Sequence, residues 1–512
     1  MDIQVADAAD APYGIHWFRR DLRVAGNPAL QWNMQQHRGR VLGLFTFDKK
    51  FLARPDFSAN RFAFFLDTLR ALQQNLRSLG GDLLVLDVGP REGWSQLMAA
   101  LESALQPKPA AVSFNRDYEP FARQRDAGLM EWIPSEFGVA VHHERDHLLI
   151  EPDELLREGK PGQFYQVFTP FAKRWFDLAA TEEMQRRIAT QAKGLRAFDQ
   201  RQKGRADEAR FAFTWPQLFG GDVPLPDQLE HYAASNRKKV TVPIPTAGPA
   251  AALKQLRTFL KHAAMAYHEQ RDFPAINGTS HLSIFLKNGS LTSAQILGEM
   301  HGAGLDLSRK DGPTTFVKEI AWREFYYHVL YHRADVERNA FLPQYRELAW
   351  ENREDWFDAW KRGETGYPVV DAGMRQLATT GWMHNRVRMI VASFLTKDLL
   401  IDWRWGEQYF MEQLLDGDLA PNNGGWQWAA STGCDPQPYF RIFNPKLQSQ
   451  KFDPHGDYIR QYLPELAACT NRQIHDPHGT GAEVSYPQPI VNHAQQKDRA
   501  LRLYRSVKMK EV

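Results

Sequence analysis

The sequence predicts an α/β doubly wound parallel-sheet N-terminal domain and an all-α C-terminal domain, joined by a long linker. Three observations predict this. Over residues 1–145 short apolar runs alternate with amphipathic stretches, over 146–243 the pattern breaks into mixed proline- and charge-rich sequence, and over 244–512 helical periods dominate. At 512 residues the chain also exceeds what one hydrophobic core usually organises.

The elements follow in order. Runs 15–18, 41–47, 83–88, 111–114 and 139–142 are short and apolar, as the buried strands of a parallel sheet are. Between them, 61–79, 93–105 and 121–132 carry helical spacing. Alternating strands and helices imply right-handed βαβ units, and such sheets take ligands beyond the carboxyl ends of their strands. No G-x-G-x-x-G or P-loop follows any strand, so a standard NAD or ATP site is not expected. Segment 146–243, including the charged stretch 196–210, reads as a partly helical connection draped over the surface. Helical periods follow at 250–267, 291–301, 316–332 and 385–400, and 499–512 reads as a short basic helix or frayed tail.

Composition narrows the function classes. Apolar residues at 43% and charged residues at 24% describe an ordinary globular protein. No apolar run is long enough to span a membrane, and the acidic start lacks the basic-then-apolar order of a secretion signal. Two cysteines, Cys434 and Cys469, exclude a disulfide scaffold or cysteine-rich metal site and fit a reducing cytoplasm. With 63 basic against 61 acidic residues, any nucleic-acid footprint must be local. Fifteen tryptophans are many, several crowding between Trp350 and Trp428, though each taken alone reads as core.

Chemistry concentrates in a few stretches. Residues 381–428 place Asp416, Gly417, Asp418, Asn422, Asn423, Gly424 and Gly425 between apolar helices. Glycine lets backbone approach a ligand, and buried carboxylates need cations, for which Arg386 and Arg388 are candidates. The competing explanation is a polar loop whose aspartates cap a helix. Around residues 267–283, Gly278 breaks a helix, and Thr279, Ser280 and Ser283 bring hydroxyl and amide donors to a new helix start. That arrangement suits a diphosphate without a Walker lysine, although hydroxyl N-caps are common. Residues 115–120 end a predicted strand where a sheet ligand would lie; a helix N-cap is the alternative there.

Seven segments point one way: WFRRDLR (17–23), GTSHLS (278–283), WREFYYH (322–328), TGYPVVDAGMRQL (365–377), WMHNRVRM (382–389), DGDLAPNNGGWQW (416–428) and YFRIFNP (439–445). They resemble the photolyase/cryptochrome family, most closely its bacterial class I cyclobutane pyrimidine dimer photolyases. The resemblance implies a bent FAD in the helical domain. Its diphosphate would sit on Thr279, Ser280, His281, Leu282 and Ser283, with Tyr267 beside it. Asp416, Gly417 and Asp418 would lie near the ribityl and isoalloxazine groups, and Arg388 would pair with Asp416. Asn422 would face flavin N5, where plant cryptochromes carry an acid; Pro421 stands where the family usually has a small residue.

The resemblance implies the reaction too. Excited reduced flavin lends an electron to a pyrimidine dimer flipped out of UV-damaged DNA, the ring bonds break, and the electron returns. Glu319, Asn385 and Met389 would touch the flipped bases, Trp322 and Trp428 would wall them, and Arg271 and Arg386 would hold phosphates. Trp426, Trp403 and Trp350 match the family's electron relay. Such an enzyme would be a cytoplasmic monomer, nucleoid-associated when on DNA, with no membrane attachment and no obligatory protein partner. A six-four photolyase would place a histidine pair near the segment matching 382–389, which here reads WMHNRVRM. A cryptochrome-type photoreceptor, the other alternative, often carries a long tail, whereas about twenty residues follow the resemblance here.

For the antenna, Asp117, Glu119 and Lys287 resemble the subgroup that binds 8-hydroxy-5-deazaflavin. Methenyltetrahydrofolate is the alternative, but Phe121 and Ala122 stand where folate-binding relatives carry an Asn-Glu pair. Glu337 and Arg338 stand in place of that site's Cys-Lys.

Overall fold

The computed structural model describes residues 11–157, 162–202, 211–305 and 311–508. The acidic start, part of the charged stretch 196–210 and the end of the tail lie outside the described residues. Five parallel strands form one sheet: β1 Gly14–Trp17, β2 Val41–Thr46, β3 Leu83–Leu86, β4 Ala111–Asn115 and β5 Ala140–Glu144, in the order β3-β2-β1-β4-β5. β1 to β4 are almost wholly buried, which is why each reads as an unbroken apolar run rather than an alternating one. The order reverses between β1 and β4, so a crevice opens beyond their carboxyl ends.

Helices Ala59–Ser78, Pro90–Ser103 and Pro120–Phe137 cross between strands. A fourth, Pro28–Gln36, has no amphipathic pattern to announce it; Asn27 caps it by accepting from Leu30 N, and it buries only Ala29, Leu30 and Asn33. Asn27 and Asn33 instead serve a buried polar network. Asn33 donates to Ser113 Oγ, which lies 2.9 Å from His16 Nδ1, and Asn27 and Asn115 both donate to Asp21.

The linker is not draped over the surface. Leu148, Leu149, Ile150, Phe168, Phe171, Trp175 and Ile188 lie in the same core as the C-terminal helices. Phe213 and Trp215 then return to the sheet, where the Trp215 indole donates to Gly43 O at 2.8 Å. Two buried groups pin this path. Arg23 and Asp146, both almost fully buried, form a two-pronged ion pair. Glu324 accepts from Leu149 N at 2.7 Å, Ile150 N at 3.3 Å and the Trp175 indole at 2.7 Å.

The C-terminal part is helical. Gly312–His332 is started by Pro313 and capped by Asp311. Asn385–Ser393, capped by His384, runs into a π turn, Phe394–Asp398. Trp403–Gln413 and Leu419–Ala429 pack against these, and His493–Lys508 closes the chain. Among the described residues no helix is long and apolar enough to cross a membrane.

Candidate active site

A cavity of about 460 Å³ lies among the C-terminal helices. Helical periodicity builds its walls. Phe316, Glu319, Ile320, Arg323 and Tyr326 recur on one face of Gly312–His332, and Asn385, Arg388, Met389 and Ala392 follow the same spacing on Asn385–Ser393. Tyr267, Arg271, Ser280, Leu282, Ser283, Trp322, Asp416, Gly417, Asp418, Asn422, Trp426 and Trp428 are among the other residues that line it.

Three of the residues expected at the cofactor or the DNA stand outside this wall. His281, at a φ of 52°, turns its ring onto Trp382 at 4.3 Å. Thr279 sits in the bend before Ser283–Asn288. Arg386 bonds Asp272 at 2.8 Å and covers the Phe452 ring. Of the tryptophans, Trp426 reaches the cavity, Trp403 is buried in the core behind it, and Trp350 is half-buried.

The polar residues are committed in specific ways. Arg388 Nη2 meets both Asp416 oxygens, at 2.9 and 3.1 Å, and Ser283 Oγ donates to Asp416 at 2.7 Å. The hydroxyls near 279–283 therefore do not cap the helix: Leu282 holds the N-cap position with no side-chain bond. Asp418 occupies the N-cap of Leu419–Ala429 without capping it either. Its Oδ1 accepts from Tyr327 Oη at 2.5 Å, Lys287 at 3.1 Å and Arg20 at 3.1 Å. Burial opposes ionisation there, but those cations hold the Asp418 carboxyl far below the usual range.

The glycines divide their work. A Cβ on Gly424 would fall 2.0 Å from the Tyr326 ring, so that glycine serves helix packing rather than a ligand. One on Gly425 would meet nothing within 4 Å and faces the cavity. Asn422 donates its amide N–H to Glu407 O at 3.0 Å, which leaves Oδ1 for the cavity.

Behind it lies a group the sequence did not flag. Burial pushes the Glu407 carboxyl up to about 8, with Asn423 donating to it at 2.9 Å. A carboxyl that binds its proton more tightly folded than unfolded stabilises the fold fully below its unfolded value and loses that contribution as pH rises through the folded one. Stability should therefore fall between pH about 4.5 and about 8. Glu407→Gln should flatten that decline in thermal melts; an unchanged slope would remove Glu407 as its source.

A second cavity, about 300 Å³, opens at the predicted crevice beyond β1, β2 and β4. Phe45, Phe47, Phe51, Phe62 and Phe65 give it an aromatic wall, and Arg20, Asp117, Glu119 and Lys287 a charged one. Glu119 stands at the N-cap of Pro120–Phe137 without capping it; it takes Arg20 at 2.7 Å and Lys287 at 3.4 Å. Gly417 lines both cavities, and the Arg20–Asp418–Lys287 cluster ties them together. The sequence did not single out Arg20, Arg323, Tyr327 or Arg61. Arg61 anchors the cavity floor through the Met411 and Leu414 carbonyls, and its only local signal is a basic residue on an apolar helix.

Comparison with known proteins agrees with this geometry. The family model described as DNA photolyase matches residues 14–189, and that described as the FAD binding domain of DNA photolyase matches 316–506. Deoxyribodipyrimidine photo-lyase of Alkalihalophilus pseudofirmus is 38% identical over 96% of this chain and 97% of its own length. Among solved structures, a bacterial class III photolyase from Agrobacterium tumefaciens superposes with a TM-score of 0.81 at 34% identity, covering 99% of this chain and 100% of its own. An archaeal photolyase from Sulfolobus tokodaii superposes at 0.76 with 29% identity, covering 96% and 99%. With the sheet, the helical cavity and near end-to-end likeness all in agreement, this chain belongs to the DNA photolyase family.

Proposed function

We propose that this chain holds FAD in the larger cavity and uses light to split cyclobutane pyrimidine dimers in DNA. The observation that carries the reading is that one cavity is lined both by the Arg388–Asp416–Ser283 cluster and Asn422, and by Glu319, Trp322, Asn385, Met389 and Trp428. The open space before Gly425 fits a flat ring system laid close to backbone. Bound and reduced, FAD supplies an electron on excitation and takes it back once the dimer has opened.

The chain's own residues bind, orient and keep water out. The Ser280 hydroxyl and backbone amides of this bend offer donors to the diphosphate, the Ser283 hydroxyl being given to Asp416, with Thr279, His281 and Leu282 shaping the bend and Tyr267 beside it. Arg388 and Asp416 fix each other where they would hold the flavin, and Asn422 Oδ1 would offer it an acceptor. Glu319, held by Arg271, accepts an imide N–H of the flipped pyrimidine, while Asn385 and Met389 contact its edge. Trp322 and Trp428 offer stacking faces. Arg386 exchanges Asp272 for a DNA phosphate. Trp350, Trp403 and Trp426 hand electrons inward to keep the flavin reduced. The chain works as a monomer.

The second cavity takes an antenna chromophore, 8-hydroxy-5-deazaflavin, between the phenylalanine wall and Asp117, Glu119 and Lys287. The Sulfolobus tokodaii relative, described as holding two FAD molecules with implication of a novel light-harvesting cofactor, supports a second chromophore in general terms. Mass spectrometry of the released chromophore separates the deazaflavin from methenyltetrahydrofolate.

FAD binding has its own test. Asp416→Asn leaves Arg388 without its carboxylate, and losing a charge-assisted bond of about 2 kcal/mol weakens FAD affinity roughly thirtyfold. Flavin absorbance after dialysis reads this; full retention in the variant would remove Asp416 from the flavin site.

A further inference from the structure

Trp322 shows one face to the cavity and lays the other on Phe168, whose ring centroid is 3.6 Å away with the planes 10° from parallel. Phe168 belongs to the linker, as the first residue of helix Phe168–Ala179, and is itself buried. The buried Phe325 meets both rings edge-on, 5.8 Å from Phe168 and 5.6 Å from Trp322. Without a flat partner behind it, an indole would swing about its side-chain torsions, and an incoming base would have to order it on binding.

The linker end is fixed in turn from the opposite wall. The Phe168 N–H donates to Asp435 Oδ2 at 2.9 Å, and Cys434 Sγ donates to Gln166 O at 3.1 Å. Asp435, at a φ of 49°, lies in the loop that follows Leu419–Ala429. That loop folds back on Trp428, whose carbonyl accepts from Ser431 N at 3.2 Å and Gln437 N at 3.3 Å. One loop therefore holds both the backing of Trp322 and the backbone of Trp428.

We propose that Phe168 is a positioning residue for the pyrimidine dimer, acting through Trp322, so that the linker carries part of the substrate slot. The inference rests on the reading of Trp322 and Trp428 as the walls of that slot. Phe168 touches no substrate. It holds the indole plane in its stacking orientation before DNA arrives, and the loop through Asp435 sets that plane against Trp428. Undamaged DNA, held by its phosphates at the rim, gains nothing from a pre-ordered slot, whereas an extruded dimer does.

The test uses the full chain with FAD bound, titrated in the dark with a dimer-containing oligonucleotide and with its undamaged counterpart. Phe168→Leu keeps an apolar side chain but removes the flat face. It is expected to weaken affinity for the dimer roughly 3- to 10-fold, leave affinity for undamaged DNA unchanged and retain the flavin absorbance. Asp435→Gly suits the positive φ and removes the acceptor of the Phe168 N–H. It should give the same selective loss in smaller measure, about two- to threefold, and it carries the test even where Phe168→Leu loses its flavin. Adding Phe168→Leu to Trp322→Ala should cost nothing further, because Phe168 acts through that indole. Wild-type dimer affinity in both Phe168→Leu and Asp435→Gly, an equal loss for the two oligonucleotides, or an additive loss in the double variant would overturn the inference. Wild-type dimer affinity in Trp322→Ala would instead overturn the reading of the slot itself, and the inference with it.

Discussion

Replacing Asp146 by alanine is expected to destabilise the folded chain by roughly 3–5 kcal/mol, among the largest effects of any single substitution outside the cavities. Arg23 would be left buried with its charge uncompensated, keeping only the carbonyls of Ala25, Gly26 and Gly289. The pair joins the segment after β1 to the start of the linker, so the loss should loosen sheet and helical core together. Chemical denaturation of the variant measures it. Adding Arg23→Met should recover part of the loss, because a buried pair replaced by apolar groups costs far less than one broken. If Asp146→Ala unfolds at the wild-type denaturant concentration, the pair does not hold the linker in place.

Trp322→Ala carries the second large effect. The indole lies against Phe168, centroids 3.6 Å apart and nearly parallel, with its cavity side free to stack a base. Stacking contributes about 1–3 kcal/mol per base, so affinity for dimer-containing DNA should fall roughly 5- to 150-fold. FAD should stay bound, because the Arg388–Asp416–Ser283 cluster does not touch Trp322. Fluorescence titration with a dimer-containing oligonucleotide, beside flavin absorbance, reads both quantities. Unchanged affinity for the dimer would move the substrate pocket elsewhere.

How much of this was legible in the chain depends on how local the signal is. The five strands were readable to within about two residues, and β1 to β4 were so because buried parallel strands announce themselves as apolar runs bounded by polar turns. Helix Pro28–Gln36 was not, since its buried asparagines serve a polar network and give no periodicity. The linker misled for a different reason. Its anchors come in separate pieces, the run Leu148–Ile150, the helix Phe168–Ala179 and Trp215, and the helical period of Phe168, Phe171, Ala172, Trp175 and Ala179 was masked by the proline- and charge-rich sequence around it. In the site, the motifs marked Asp416, Asp418 and Asn422 through their likeness to a family. The likeness also supplied Arg388 as the partner of Asp416, but the cation on Asp418 was hidden by distance along the chain: Arg20 lies 398 residues from the Asp418 it grips. Gly424 is a further case, since its sequence suits a ligand but its missing Cβ makes room for Tyr326.

The most direct measurement mixes the purified chain, its flavin reduced, with an oligothymidylate carrying cyclobutane dimers, and follows thymine absorbance under blue light and in darkness. The account predicts recovery of absorbance under light alone, lost when flavin is removed. No recovery in the light, with fully reduced flavin in place and the oligonucleotide bound, would contradict it.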